Sequence, residues 1–191
     1  MIIDSHAHYN NSAYKKPFRY LSYDKNGYSL KEDELPQLMQ EMEAANIRYF
    51  IEPGVSLQSC EEVLQLCAEY SGRIFPAIGV HPTRSIFEKW SDRHKLAAYA
   101  NTPGVIAIGE IGLDYHYDEP DPEIQKVWFE RQLLLAKKLD IPYIIKNKGY
   151  ILPWYFSFLA KHNNKTHKNH LYLYIFVLIL QVFPPLCLGK N

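Results

Sequence analysis

An α/β fold is what the sequence predicts: a parallel sheet assembled from successive strand–helix units, arranged as part of a parallel β/α barrel. Short runs such as 105–108 are apolar, β-branched and unbroken, which is typical of strands buried on both faces of a parallel sheet. Segments of helical period alternate with these runs across short connections, and that alternation favours parallel pairing. Three of the runs end beside a histidine or a glutamate, as strands do at the catalytic face of a parallel barrel.

The first unit is predicted to contain a strand, a long loop and a helix. The strand is 2–5, and the segment 9–28, rich in tyrosine and lysine without a clear period, is expected to form a loop over the catalytic face. Ser29 and Glu32 have the spacing of a helix capping box. The apolar residues that then recur at helical spacing are Leu35, Leu38, Met39 and Met42.

The next two units repeat this pattern with shorter connections. A second strand is predicted at 47–51, and Ser59 and Glu62 form another capping box at the start of a helix. A third strand is predicted at 74–80, followed by a helix over 91–99 with the serine at its start as the cap.

The fourth unit has the clearest boundaries. Its strand is predicted at 105–108, where Gly109 ends the apolar run. A helix follows over 122–139, because Asp121 is a favourable N-cap and the proline after it is favourable in the first turn. A fifth strand is predicted at 142–145, so the sequence accounts for about four to five strand–helix units.

The candidate site residues follow three of the predicted strands. Side chains at i and i+2 of a strand point the same way, so His6 and His8 would present two imidazoles side by side, as a metal site requires. Glu110 lies where the fourth strand would leave the sheet, and His81 follows the third. A lone carboxylate there would be a solvated loop residue. Two imidazoles and one carboxylate at one face instead predict part of a hydrolytic metal centre.

Four motifs carry a family resemblance. They are His6-Ala-His8, Gly79-Val-His81-Pro82, Gly109-Glu-Ile-Gly-Leu-Asp114 and Gln125-x-x-x-Phe129-x-x-Gln132-Leu133. In this order and spacing, over about residues 1–145, the sequence resembles the TatD family of metal-dependent deoxyribonucleases. The first motif alone is a weak signal, whereas the third following the first two is specific.

The resemblance implies a TIM-type (β/α) barrel, of which this protein would provide about the first four to five units. It implies that His6, His8 and Glu110 are metal ligands, that Glu110 is the catalytic residue bridging the ions, and that His81 lies near the substrate phosphate. It also implies divalent metal ions, Mg²⁺, Mn²⁺ or Zn²⁺ and normally two per site, and DNA as the substrate whose phosphodiester bonds are hydrolysed by metal-activated water. From the residues alone, a structural hydrogen bond at a strand end explains His81 equally well.

The sequence departs from the family pattern after the fifth strand. Lys146 stands where the resemblance implies a histidine ligand, and no acidic residue follows Asp140. Residues 146–191 contain six lysines and no Asp or Glu, with an apolar run at 171–180. We interpret 1–145 as the hydrolase domain and the remainder as an atypical basic and apolar tail. Translation in a wrong frame is our hypothesis for the tail, which would make the protein frame-shifted or truncated at its C-terminal end.

The net charge and the composition limit the kind of substrate and the cellular location that the sequence predicts. Residues 1–145 contain 15 Lys and Arg against 21 Asp and Glu, a net charge of −6. They therefore lack the basic excess expected of a duplex binder, and single strands or ends of DNA are favoured as substrate. Three cysteines without a C-x-x-C pair fit a reducing compartment, and the N-terminus has no signal-peptide pattern, so a cytoplasmic location is expected. The tail's apolar run is shorter than the ~20 residues of a membrane helix.

Two alternatives to a deoxyribonuclease stay open at this point. One is another metal-dependent ester or amide hydrolase on the same scaffold. The other is a non-catalytic remnant or a membrane-associated interaction protein that uses the tail. No stable protein partner is evident, and the departures after the fifth strand predict that metal binding and turnover are weakened.

Overall fold

The computed structural model describes residues 1–25, 27–116, 120–148 and 175–177. The strands are β1 Ile2–Asp4, β2 Phe18–Asp24, β3 Gly27–Asp33, β4 Ile47–Pro53, β5 Ile74–Ile78, β6 Ala107–Asp114, β7 Tyr143–Lys148 and β8 Ile175–Val177. The helices are α1 Leu35–Ala44, α2 Leu57–Glu69, α3 Arg93–Ala100 and α4 Pro122–Leu139. One parallel sheet has the order β1-β4-β5-β6-β7-β8, and β2 and β3 form a separate antiparallel hairpin.

The sheet confirms the predicted fold class. Each of β1, β4, β5 and β6 is followed by a helix and then by a parallel strand, which gives four βα units and a fifth strand of a partial TIM-type barrel. Neighbouring residues of one strand point to opposite faces of the sheet. Ile78 and Ile108 belong to the main hydrophobic core on one face, whereas Ala77 and Ala107 belong with Ile144 to a second hydrophobic cluster on the other. Burial on both faces of the sheet explains why these strands appear in the sequence as continuous apolar runs.

The predicted loop over 9–28 is wrong in its second half, because this part forms β2 and pairs with β3. Most of β3 is exposed, so no alternation of buried and exposed residues marks it as a strand in the sequence. Arg19 and Glu32 form one of its cross-strand contacts, an ion pair of 3.1 Å. The predicted capping box is also wrong, since Ser29 and Glu32 lie in β3 and α1 begins only at Leu35.

Two further helices begin at residues other than those predicted. Ser56 is the N-cap of α2 and exchanges hydrogen bonds with Ser59, which is therefore the third helical residue and not the cap. Ser91 lies in a 3₁₀ turn before α3, whose N-cap is Asp92. The predicted cap of α4 is confirmed, because the side chain of Asp121 accepts a backbone hydrogen bond of 2.7 Å from the first turn.

Strand β6 is longer than predicted and continues through both of its glycines. A Cβ at Gly109 would lie 2.7 Å from a side-chain atom of β7, and at Gly112, with φ of 147°, it would overlap the carbonyl oxygen of Lys146. The glycines therefore permit close pairing with β7 and do not end the strand. As a result Glu110 lies within β6, and β7 continues to Lys148.

Two glutamines of α4 bind the backbone where neighbouring strands end. Gln132 accepts from the N–H of Val80 at 2.7 Å through Oε1, and its Nε2 donates to the Val80 carbonyl at 3.1 Å. Gln125 makes the same pair of bonds with the N–H and carbonyl of Asp114, at 2.8 and 3.1 Å. Each side-chain amide thus makes the two backbone hydrogen bonds that a neighbouring strand would otherwise make with that residue. The ends of β5 and β6 are thereby fixed to one face of α4.

A buried carboxylate holds the segment after β1. Glu52 of β4 is fully buried and accepts hydrogen bonds from the backbone N–H groups of Tyr9 and Asn10, at 3.0 and 2.9 Å. Burial raises the pKa of Glu52 to about 7, although these two hydrogen bonds act in the opposite direction. The contact ties the loop that follows His8 to the end of β4.

Most of the predicted tail lies outside the described residues. The exceptions are the end of β7 and strand β8, which pairs with β7 through Ile144 and Ile175. No helix in the described part of the protein has the length and apolar character needed to cross a membrane. The domain boundary at 145 and the reading-frame hypothesis stay predictions, and sequencing of the locus in all frames would test the second.

Replacing Gln132 by leucine should lower the free energy of unfolding by about 2–5 kcal/mol, because the buried N–H and carbonyl of Val80 lose their partner. Urea denaturation followed by circular dichroism measures the change. Gln58→Leu, at an exposed position of α2, is the matched control and should change stability by no more than about 0.5 kcal/mol. Equal unfolding midpoints for Gln132→Leu and the wild type would contradict the role of the amide.

Glu52 should stabilise the protein more in mild acid than in mild base. Its pKa is raised from 4.5 to about 7 on folding, so its stabilising contribution is complete below about pH 4.5 and is lost as the pH rises through 7. The stability difference between the wild type and Glu52→Gln should therefore fall by about 2 kcal/mol from pH 5.5 to pH 8. Denaturation at several pH values measures it, and other groups cancel in the comparison. A difference independent of pH would show that Glu52 does not titrate in this range.

Candidate metal centre

The three predicted metal ligands meet in the structure. His6 and His8 belong to the segment after β1, and Glu110 belongs to β6, which is the third strand from β1 in the order of the sheet. Parallel winding places the carboxyl ends of these strands at one edge of the sheet, as the sequence analysis assumed. Among the described residues, these three form a group of side chains that could hold a metal ion.

The histidines lie beyond the strand and not within it, which corrects the sequence-based argument. Strand β1 ends at Asp4, whose carboxylate accepts a hydrogen bond from the backbone N–H of His6 at 3.1 Å. The backbone N–H of Ala7 still bonds to the carbonyl of Ile51 at 2.9 Å, so the segment continues beside β4. The two imidazoles consequently remain neighbours, with ring centroids 4.9 Å apart.

The donor atoms are spaced closely enough for one ion. The Nε2 atoms of His6 and His8 are 3.1 Å apart, and they lie 3.4 and 3.9 Å from Oε2 of Glu110. Two ligand atoms that are each about 2.1 Å from the same ion are at most about 4.2 Å apart, so all three separations are compatible with shared coordination. The separations of these three donor atoms therefore fit one divalent ion.

The protonation states of Glu110 and His8 also suit metal binding. Burial of Glu110 would raise its pKa, but its hydrogen bond to His6 and the electrostatic effects of the nearby His6, His81 and Lys146 side chains act more strongly and lower it to about 2. Burial and the neighbouring His6 lower the pKa of His8. An ionised carboxylate and an unprotonated imidazole are the forms in which these side chains bind metals.

Lys146 contacts this centre from β7. Its Nζ lies 3.1 Å from Oε1 of Glu110, and its side chain is only 12% exposed. The contact is an ion pair and not an aligned hydrogen bond, because that oxygen has no hydrogen-bond partner in the described structure. In the sequence Lys146 is only a departure from the family pattern, since nothing there shows that its ammonium reaches Glu110.

His81 lies at the end of β5, where it caps a short 3₁₀ turn. Its Nδ1 accepts a hydrogen bond from the backbone N–H of Thr83 at 3.2 Å. Burial lowers the pKa of His81 to about 4, with a smaller opposing effect from Glu110, so the ring is neutral at pH 7. Because Nδ1 accepts, the ring proton is assigned to Nε2, which makes this nitrogen a hydrogen-bond donor. The predicted contact with a substrate phosphate remains a prediction.

A polar cleft of about 460 Å³, which no sequence motif predicts, opens beside His8. Its lining includes Asn10, Lys15 and Glu62, the last two forming an ion pair of 3.6 Å. Glu52, equally unrecognised in the sequence, holds one wall in place through the backbone of Asn10. Neither could be inferred from motifs, because these residues come from a loop, a helix and strand β4, which meet only in the folded protein.

Proteins of known sequence include several relatives of this protein. An uncharacterized metal-dependent hydrolase of Bacillus subtilis, YabD, is 29% identical over 148 residues, which cover 78% of the present sequence and 51% of YabD. The 3'-5' ssDNA/RNA exonuclease TatD of Salmonella typhimurium is 34% identical over 101 residues, 52% of the present sequence and 38% of that exonuclease. The present sequence thus spans about half or less of the length of these relatives.

Solved structures and a family model agree with this similarity. The TatD homolog YJJV of Escherichia coli has a TM-score of 0.59 at 25% identity, covering 75% of the present protein and 49% of YJJV. A TatD family hydrolase of Entamoeba histolytica, at 21% identity, shares the fold with a TM-score of 0.67 over 83% of the present protein and 55% of that hydrolase. The model of the family described as TatD related DNase matches residues 3–169, which is most of the sequence. The protein therefore belongs to the TatD related DNase family.

Proposed function

We propose that this protein contains the metal centre of a phosphodiesterase that hydrolyses nucleic acid from the ends of single strands. The observation that supports the proposal most directly is the meeting of two imidazoles and one buried carboxylate beside an open polar cleft. Family membership implies a divalent metal ion, and the donor set of His6, His8 and Glu110 suits one. Imidazole and carboxylate together accept Mn²⁺, Zn²⁺ or Mg²⁺, so the donor set does not select among them.

His6, His8 and Glu110 would hold the ion. When bound, a divalent ion lowers the pKa of a bound water and neutralises charge on a phosphate oxygen. Glu110 is ionised at neutral pH and would be the catalytic residue, orienting the attacking water through a carboxylate oxygen. His81, neutral and with its proton assigned to Nε2, would donate a hydrogen bond to a phosphate oxygen at the mouth of the site.

Charge distribution supports a single-stranded substrate. The first 145 residues have a net charge of −6, so most of this surface would repel the backbone of a duplex lying along it. The cleft beside His8 has a volume within the range of small-molecule sites, and it offers Asn10 and Lys15 as polar contacts for one nucleotide. Relatives named 3'-5' ssDNA/RNA exonuclease support the same substrate class. An end of a strand would thus enter the cleft with its phosphate beside the ligands.

Metal binding should depend on the histidine pair and not on His81. Titration calorimetry of the metal-free protein with Mn²⁺ should show weak binding of at most one ion, which the double variant His6→Ala with His8→Ala should abolish. His81→Ala removes a side chain whose Nδ1 is engaged with Thr83, so it should leave the affinity within about twofold. Binding that survives loss of both imidazoles would show that the centre is placed wrongly.

Nuclease activity should be slow but metal-dependent. With Mn²⁺, the protein should release mononucleotides from a labelled single-stranded oligonucleotide faster than from a blunt duplex. Glu110→Gln should abolish the release, and His81→Ala should lower kcat/KM by about 100-fold, because a hydrogen bond to the phosphate is lost. Lys126→Ala, on the outer surface of α4, is the control and should leave the rate unchanged. Hydrolysis of a carboxylic ester or amide without cleavage of DNA or RNA would instead support another hydrolase of the same scaffold.

A further inference from the structure

The carboxylate of Glu110 presents its two oxygens to different kinds of partner. Oε2 faces the Nε2 atoms of His6 and His8, at 3.4 and 3.9 Å. Oε1 instead lies 3.1 Å from the Nζ of Lys146. The carboxylate therefore stands between a set of metal ligands and a cation that the protein itself supplies.

The backbone of β7 fixes the position of this cation. Lys146 is paired with Gly112 in the register of β6 and β7, and the missing side chain of Gly112 allows the two strands to approach closely at that point. The side chains of Lys146 and Glu110 are only 12% and 2% exposed, so bulk water solvates neither charge well. A buried ammonium requires an anionic partner, and Glu110 is the anion that it contacts.

A purely structural ion pair is the simplest alternative explanation. Buried ion pairs add little net stability, because the loss of hydration of both groups offsets their attraction. This pair also uses an oxygen of a residue that already belongs to the metal-ligand set. A carboxylate bound to one ion through one oxygen is placed to bridge to a second cation through the other, and two cations can clamp a phosphate. In this protein the second oxygen, Oε1, contacts the ammonium of Lys146.

We propose that Lys146 takes the place of a second metal ion, so that the centre holds one divalent cation at His6, His8 and Glu110 while the ammonium supplies the second positive charge to the phosphate. The inference rests on the proposed function, because a phosphate substrate is what requires both charges. Lysine has three N–H donors and can contact a phosphate oxygen while it remains paired with Glu110. In the hydrolysis a bond forms from the water oxygen to phosphorus, the ester P–O bond breaks, and the water proton ends on the leaving oxygen. Lys146 stabilises the phosphate charge and transfers no proton.

Counting bound ions tests the first half of the proposal. Calorimetric titration of the whole protein with Mn²⁺, and paramagnetic resonance spectra of the loaded protein, should give one isolated Mn²⁺ per molecule. Lys146→His puts a neutral metal ligand in place of the ammonium and should give two Mn²⁺ with the spectrum of an exchange-coupled pair. Lys126→His adds an imidazole to the surface of α4 and is the matched control, expected to keep one ion.

A charge-removing variant tests the second half and needs no second metal. Lys146→Met should bind its single Mn²⁺ about tenfold more tightly, because the nearby ammonium no longer repels the ion. The Mn²⁺-loaded variant should bind inorganic phosphate about tenfold more weakly than the loaded wild type. Circular dichroism establishes that each variant is folded, and if Lys146→His is not, the measurements on Lys146→Met decide.

Three outcomes would overturn the proposal: two Mn²⁺ ions in the wild type, a single ion in folded Lys146→His, or unchanged phosphate binding in Lys146→Met. None of these measurements uses nucleic acid. A protein that behaves as expected here but cleaves no oligonucleotide would therefore refute the nuclease assignment while leaving the metal count and the role of Lys146 toward phosphate in place. A wild-type protein that binds no Mn²⁺ at all would overturn both proposals.

Discussion

The candidate site depends on burial of an ionised carboxylate inside a parallel strand. Glu110 is 2% exposed, and a negative charge so far from water is tolerated only beside positive charge or hydrogen-bond donors. The imidazoles beyond β1 and the ammonium of Lys146 on β7 surround it. These groups can meet only if β1, β6 and β7 lie in one sheet with their carboxyl ends together. The chemistry at Glu110 therefore constrains the topology of the whole sheet.

Side chains from outside the sheet keep the strand ends in place. Gln125 and Gln132 form hydrogen bonds with backbone groups at the ends of β6 and β5, so α4 holds the carboxyl ends of these two neighbouring strands at a fixed separation. Glu52 does the same for the loop after His8, through two backbone N–H groups. Because a buried backbone group is costly to leave unpaired, each of these contacts restrains the loop that it binds. The segments that carry His8, His81 and Glu110 are thus held in place by hydrogen bonds from buried side chains of neighbouring elements.

Electrostatics in this protein are local. The first 145 residues are acidic overall, and positive charge at the site is concentrated where Lys146 and any bound cation share Glu110. Long-range attraction to a polyanion is weak under those conditions, because the net charge of this region has the same sign as that of the polyanion. The proposed preference for a single reacting phosphate over a long backbone rests on this distribution and on the cleft of about 460 Å³ beside His8.

The sequence by itself determined the α/β class and the order of the main strands and helices, because apolar periodicity is a local property. It also predicted that His6, His8 and Glu110 would meet, because parallel winding places the ends of successive strands at one edge of the sheet. It missed the hairpin, for which a loop was predicted, and it misplaced three helix starts. Exposed strands lack alternation, and a serine cap has the same spacing in several registers. Only the tertiary structure decided that Gly109 and Gly112 continue β6 and that Lys146 reaches Glu110. These features depend on the distance between strands that are more than thirty residues apart in the sequence, and no local pattern encodes such a distance.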